Sequence, residues 1–223
     1  NEGGLEIELP SLIRNKKSKL IFFDFDGVIV DSFRICYESM LEVEPSSLTE
    51  HQYREYFNGN IYDVEGMDDD GADITEDPFW PIYVKRLMKQ SPVDGIGEIL
   101  DFVSKRATLV IISSTTNAPI RDYLVKYKFD RYFKKIYGAE VHKSKHEKIK
   151  MALKEFKSSP GDSIIITDTL GDMREAAKEG VASIGVEGGF QYRASLERGS
   201  PRAIAKSTQE LQKALTTWLQ GND

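Results

Sequence analysis

Short apolar runs recur along the chain and alternate with stretches whose apolar residues fall three and four positions apart. The runs predict strands over 19–25, 108–112, 135–138, 163–167 and 182–186, the third being the weakest. Unbroken runs of four or five apolar residues, such as Leu20-Ile21-Phe22-Phe23 and Leu109-Val110-Ile111-Ile112, suit strands covered on both faces. The intervening stretches have helical spacing. They are 95–105 (Ile96, Ile99, Leu100, Val103), 119–127 (Ile120, Tyr123, Leu124), 145–156 (Ile149, Leu153, Phe156), 172–180 (Met173, Ala176, Ala177) and 209–219. Gly180 stands where a helix stop is expected. Strand alternating with helix predicts an α/β chain with an open parallel sheet and helices on both faces.

Residues 33–92 break that rhythm. They carry no strong strand pattern, and 33–41, 49–57 and 81–88 have helical spacing. An insert of this length is too long for an ordinary loop. The expected division is therefore a core formed by 1–32 with 93–223, and a small helical domain formed by 33–92. Residues 1–18, polar and mixed, are expected to lie as an arm on the surface.

Composition narrows the classes of function. The 223 residues are 40% apolar and 30% charged, as in a soluble globular protein. The net charge of −6 gives no electrostatic case for nucleic acid. An anionic substrate would need a local cation. Cys36 is the single cysteine, which rules out an intrachain disulfide and fits a reducing compartment. The opening residues lack a signal-peptide core, and no apolar run approaches the ~20 residues of a membrane span. The expected location is cytoplasmic, with no membrane partner; nothing in the sequence speaks to oligomeric state. His51, His142 and His146 lack metal-ligand spacing. The acidic tract 63–77 fails as a calcium loop: with Gly71 as the turn glycine, Gly66 and Asp77 fall where two strong ligands belong. A solvated loop is the expectation there.

The chemistry gathers at the strand ends, where ligands of open parallel sheets bind. The first strand runs into Asp24-Phe25-Asp26-Gly27, the second into Ser113-Ser114. His142-Lys143-Ser144-Lys145 follows the third, and Asp168-Thr169-Leu170-Gly171-Asp172 the fourth. A buried carboxylate needs a cation. Phosphoryl transfer needs a nucleophile in line with the leaving group and neutralisation of the equatorial oxygens. Asp24 and Asp168 suit Mg²⁺, which takes oxygen ligands and keeps waters. Asp24 can also attack phosphorus, and Asp26 can move the proton of the leaving oxygen. Gly27 permits a tight turn with backbone N–H groups near a phosphate.

Asp24-Phe25-Asp26-Gly27-Val28-Ile29-Val30-Asp31-Ser32 resembles the first motif of the haloacid dehalogenase superfamily of phosphohydrolases. Leu109 to Ser114 is similar to its second motif and Lys145, with Lys143 as the alternative, to its third. Thr167-Asp168-Thr169-Leu170-Gly171-Asp172 is similar to the fourth, with Thr167 where Gly is usual, which narrows the space near a metal. Ala176-Ala177-Lys178-Glu179-Gly180-Val181 and the glycines Gly188-Gly189 before Phe190 resemble the phosphoglycolate-phosphatase-like branch. The resemblance implies a Rossmann-like core, a helical cap of the first type at 33–92, Mg²⁺ and an aspartyl-phosphate. It implies Asp24 as nucleophile, Asp26 as acid/base, and Ser113 and Lys145 as phosphate binders. Gly27, Ser114, Lys143 and Arg34 are the expected substrate contacts, and Asp24, Asp26, Asp168 and Asp172 the expected metal group. Phe33, Tyr37, Tyr53, Phe57, Asn58 and Tyr62 are candidates to face the site from the cap. The activity implied is hydrolysis of a small phosphorylated metabolite. A phosphomutase with the same nucleophile and a non-catalytic binding or regulatory protein remain the alternatives.

Overall fold

A computed structural model describes residues 19–63 and 76–221. Its centre is a six-stranded parallel sheet of β1 (Leu20–Phe23), β2 (Thr108–Ile112), β3 (Phe133–Tyr137), β4 (Ser163–Thr167), β5 (Ala182–Val186) and β6 (Ala203–Ala205). The order across the sheet is β3-β2-β1-β4-β5-β6. β1 pairs with β2 on one side and β4 on the other, so the sheet is wound outward from β1 in both directions. The crevice of such a sheet lies beyond the strand ends where the winding reverses. Both faces are covered, as the unbroken apolar runs require. Ile21 and Phe23 of β1 enter one cluster and Leu20 and Phe22 the opposite one.

Around the sheet lie α4 (Ile96–Ser104), α5 (Asn117–Lys126), α6 (Lys145–Glu155), α7 (Leu170–Lys178), α8 (Arg193–Glu197) and α9 (Thr208–Gln220). The five strands expected from the pattern are present. β6 and α8 were not expected, because three and five residues are too short to show a period.

β1 ends with its apolar run at Phe23, earlier than the strand expected over 19–25. Asp24 N–H still reaches the Ile166 carbonyl at 2.9 Å, as a strand residue would. Gly27, at φ +74°, then turns the chain so that its N–H meets the Val30 carbonyl at 2.8 Å. Asp26 is therefore aimed by a turn and not by strand alternation.

Between β1 and α4 run α1 (Phe33–Val43), α2 (Glu50–Glu55) and α3 (Phe79–Leu87). Thr49 and Gln52 form a reciprocal capping box that starts α2. α1 and α3 pack together, tied by Arg86 to Ser39 and Glu42. Phe33 and Phe57 each meet Phe190 edge to face, and Tyr53 packs edge to face on Phe57 and tilted against Phe33, joining this helical stretch to the loop after β5. Polar contacts fix the join. Arg54 donates to the Gly189 and Phe190 carbonyls at 2.8 and 2.6 Å, and Arg174 to the Asn58 carbonyl at 2.8 Å. Most of the acidic tract and the expected arm at 1–18 lie outside the described residues. No helix among the described residues is long and apolar enough to cross a membrane.

Candidate active site

The registers Phe23↔Ile166 and Phe23↔Ile111 bring the ends of β1, β4 and β2 level. Asp24, Asp26, Ser114, Thr115, Lys145, Asp168 and Asp172 consequently line one cleft under the helical stretch. Lys145 is its electrostatic centre. Its Nζ lies 2.8 Å from Asp24 and 2.7 Å from Asp172, and all three side chains are buried. Burial alone would lower the ammonium's pKa, but the attraction of Asp172 and Asp24 outweighs it and holds the charge. Asp172 also accepts from Thr167 Oγ1 at 2.6 Å. Burial works to raise its pKa, yet Lys145 and these hydrogen bonds keep it below the usual range. Asp24 is pushed well up by burial, against Lys145, with Asp172 and Asp168 adding repulsion.

Asp26 sits in a different environment. Its Oδ1 accepts from Ser32 Oγ at 2.6 Å and from the Tyr83 hydroxyl, and its Oδ2 from Thr115 Oγ1 at 2.6 Å. Three hydroxyls hold one carboxylate in a fixed pose.

Asp168 is packed in a cradle. A methyl group at Gly27 or at Gly189 would overlap its carboxylate, so both positions need glycine. Oδ2 accepts from Phe190 N–H at 2.5 Å, while Oδ1 is buried with no partner. Burial raises this carboxyl to about 7, against the pull of the Phe190 N–H. An orphaned carboxylate oxygen beside Asp24 suits a hard cation. Three carboxylates facing one ammonium leave a deficit that a divalent ion would fill. Among the described residues no three His, Cys, Asp or Glu side chains converge as a metal cage. Mg²⁺ does not need one, since it uses one or two carboxylates and keeps waters. Asp26 and Asp172, expected in the metal group, direct their oxygens to hydroxyls and to Lys145.

Of the two candidate lysines, Lys145 reaches Asp24. Ser144 caps α6 by accepting from Glu147 N–H, so Lys145 opens the helix facing inward. Lys143 lies 5.8 Å from the centre of the Tyr62 ring and does not line the cleft. Nor does Arg34, which is exposed and paired with Glu38 at 2.9 Å one helical turn on. Ser113 is buried below the cleft floor, its Oγ accepting from Thr115 N–H at 3.0 Å, which leaves its own proton free to donate. Ser114 lines the cleft. Of the aromatics, Tyr53, Phe57 and Tyr62 line it, whereas Phe33 and Tyr37 stack within the helical stretch.

Three polar residues escaped the sequence reading. Tyr83 and Thr115 hold Asp26 from 57 and 89 positions away, and no local pattern marks them. Lys148 is fully buried one turn after Lys145 and donates to the Ser113 carbonyl at 2.5 Å. A lysine on the apolar face of the 145–156 helix is the one trace it leaves in the sequence.

Residues 21–186 match the haloacid dehalogenase-like hydrolase family. The chain belongs to that family of α/β hydrolases. Among curated proteins it is similar to a phosphoglycolate phosphatase of Pseudomonas syringae, 22% identical over 92% of this chain and 82% of that one. It is also 30% identical to a 5'-nucleotidase of Pseudomonas aeruginosa. That match covers 59% of this chain and 62% of the relative, less than two thirds of its length. Among solved structures, a predicted phosphatase from Clostridium acetobutylicum has a TM-score of 0.74 at 22% identity, covering 89% of this chain and 98% of that one. A beta-phosphoglucomutase from Clostridium difficile has a TM-score of 0.72 at 17% identity, covering 92% and 98%. At these identities the two structures speak for the fold.

Proposed function

We propose that the chain hydrolyses a small phosphate monoester through a phosphorylated Asp24. The observation that carries this reading is the buried Asp24–Lys145–Asp172 cluster set beside the unpartnered oxygen of Asp168. Asp24 attacks phosphorus, and the bond to the ester oxygen breaks. Asp26 gives that oxygen a proton. Water then attacks the aspartyl-phosphate, Asp26 takes back a proton, and phosphate leaves. Lys145 balances negative charge on Asp24 and on the phosphoryl oxygens, and Asp172 and Thr167 hold Lys145 in place. The Ser114 segment donates to the phosphate, Ser113 steadies that segment by accepting from Thr115 N–H, and the turn at Gly27 lets the backbone approach it. Tyr83, Ser32 and Thr115 keep Asp26 aimed at the ester oxygen.

Mg²⁺ would be held by Asp24 and Asp168, and when bound it supplies charge neutralisation at the transferring phosphoryl group. Residues 33–92 act as a helical cap over a core of 1–32 and 93–223, shielding the aspartyl-phosphate and shaping the space for the leaving group. The phosphatase relatives support this reading at the level of reaction class.

The test is phosphate release from an aryl phosphate with Mg²⁺ present. Asp24→Asn and Asp26→Asn are each expected to lose activity while their melting curves stay cooperative. Near wild-type turnover by Asp24→Asn would refute the mechanism.

A further inference from the structure

The space that would receive the leaving group differs in character from the floor beneath it. The cleft holds about 240 Å³. Its floor is polar, but its upper walls are Met40, Val43, Phe57, Tyr62, Trp80 and Phe190. Lys145 is the one cation among the described lining residues, and it is bound to Asp24 and Asp172. The charged groups nearer the rim are acids, the exposed Glu44 and Asp77. The sequence reinforces this: from Glu55 to Val84 there is no Lys, Arg or His, while acids are frequent. Nearby cations are committed elsewhere. Arg54 bonds the Gly189 and Phe190 carbonyls and stacks on Phe33, and Arg34 pairs with Glu38. Lys143 lies 5.8 Å from the centre of the Tyr62 ring and is not among the described residues that line the cleft.

An anion placed against apolar walls with no cation is strongly disfavoured, and acids at the rim add repulsion. Aromatic walls favour a flat apolar group. We infer that this site selects phosphate monoesters whose leaving group is uncharged and aromatic, and rejects esters bearing a second anion such as a carboxylate. The inference rests on the phosphatase reading and deepens it. It separates this chain from its phosphoglycolate phosphatase relatives, whose named substrate carries a carboxylate.

The test compares kcat/KM for phenyl phosphate, 4-carboxyphenyl phosphate and 2-phosphoglycolate, using the full chain with Mg²⁺. Phenyl phosphate is expected to exceed both carboxylated esters by about 100-fold, the scale on which an unpaired buried charge is rejected. Glu44→Lys places a cation at the rim and a favourable charge at the end of α1, and should narrow that gap to about 10-fold or less. Equal or better use of either carboxylated ester by the wild type overturns the inference. If no ester is hydrolysed, the phosphatase reading fails by itself, and selectivity is then read by calorimetry. Phenylphosphonate binding more tightly than 4-carboxyphenylphosphonate supports the inference, and equal or reversed affinities overturn it.

Discussion

Replacing Lys148 with Met should stabilise the protein, and by an amount that falls as pH rises. Lys148 is fully buried, and its ammonium donates to the Ser113 carbonyl. Burial, with repulsion from Lys145, lowers its pKa from 10.5 to about 7. At about 1.4 kcal/mol per pH unit, that drop corresponds to roughly 5 kcal/mol against the charged form in the folded protein. The sign follows from proton counting. Between about pH 7 and 10.5 the unfolded chain keeps the lysine proton and the folded chain releases it, so wild-type stability climbs with pH across that window. Below it both states are charged, and the full penalty of burying the ammonium applies. Met has a similar length and no charge, so the variant lacks this slope. It loses one hydrogen bond and leaves the Ser113 carbonyl short of a donor, at about 1–3 kcal/mol. The expected net gain is roughly 2–4 kcal/mol at pH 6.5, falling to zero or below by pH 10. Urea denaturation of both proteins at pH 6.5, 8 and 9.5 measures it, and the difference between the two curves cancels the titrating groups that do not interact with Lys148. A difference that is flat in pH, or that grows as pH rises, would show that Lys148 is held charged by a partner and would refute the reasoning.

Other consequences are as direct. Tyr83→Phe removes one of the three hydroxyls on Asp26 and should lower kcat/KM for an aryl phosphate by up to about 10-fold, since a hydrogen bond is worth about 0.5–1.5 kcal/mol; unchanged kinetics would remove Tyr83 from the site. Gly171→Ala would drive a methyl group into the backbone carbonyl of Gly59, which cannot swing aside as a side chain could, and should cost about 1–3 kcal/mol in denaturation while raising KM. No change in either would mean that residues 57–60 do not rest on α7. EDTA should abolish hydrolysis and Mg²⁺ restore it. Excess Mg²⁺ should raise the wild-type Tm by about 2–4 °C and leave Asp168→Asn unmoved. An equal shift in both would place the ion elsewhere.

Most of the sheet was legible in the sequence because its strands are covered on both faces, which leaves unbroken apolar runs that no surface element would carry. The same runs placed the chemistry. A strand delivers the residue after it to the sheet's edge, so Asp24 and Asp168 had to emerge near one another once β1 and β4 were neighbours. That pairing, Phe23 against Ile166, belongs to the tertiary structure. So does the choice between Lys143 and Lys145, two residues apart and chemically alike. Ser144 caps α6 between them and turns Lys145 alone toward Asp24. Arg34 is placed suggestively in sequence, but a glutamate one turn away on an exposed helix face claims it. β6 is three residues on an edge strand and has no period to read. Two of the three donors on Asp26, Tyr83 and Thr115, arrive from α3 and from the loop after β2, separations at which a single sequence carries no signal. Local pattern determined which segments are strands and which acids stand at their ends. Only the closed fold decided which cation meets those acids, which hydroxyls aim them, and how apolar the space above them is, because each depends on contacts between segments far apart in the chain.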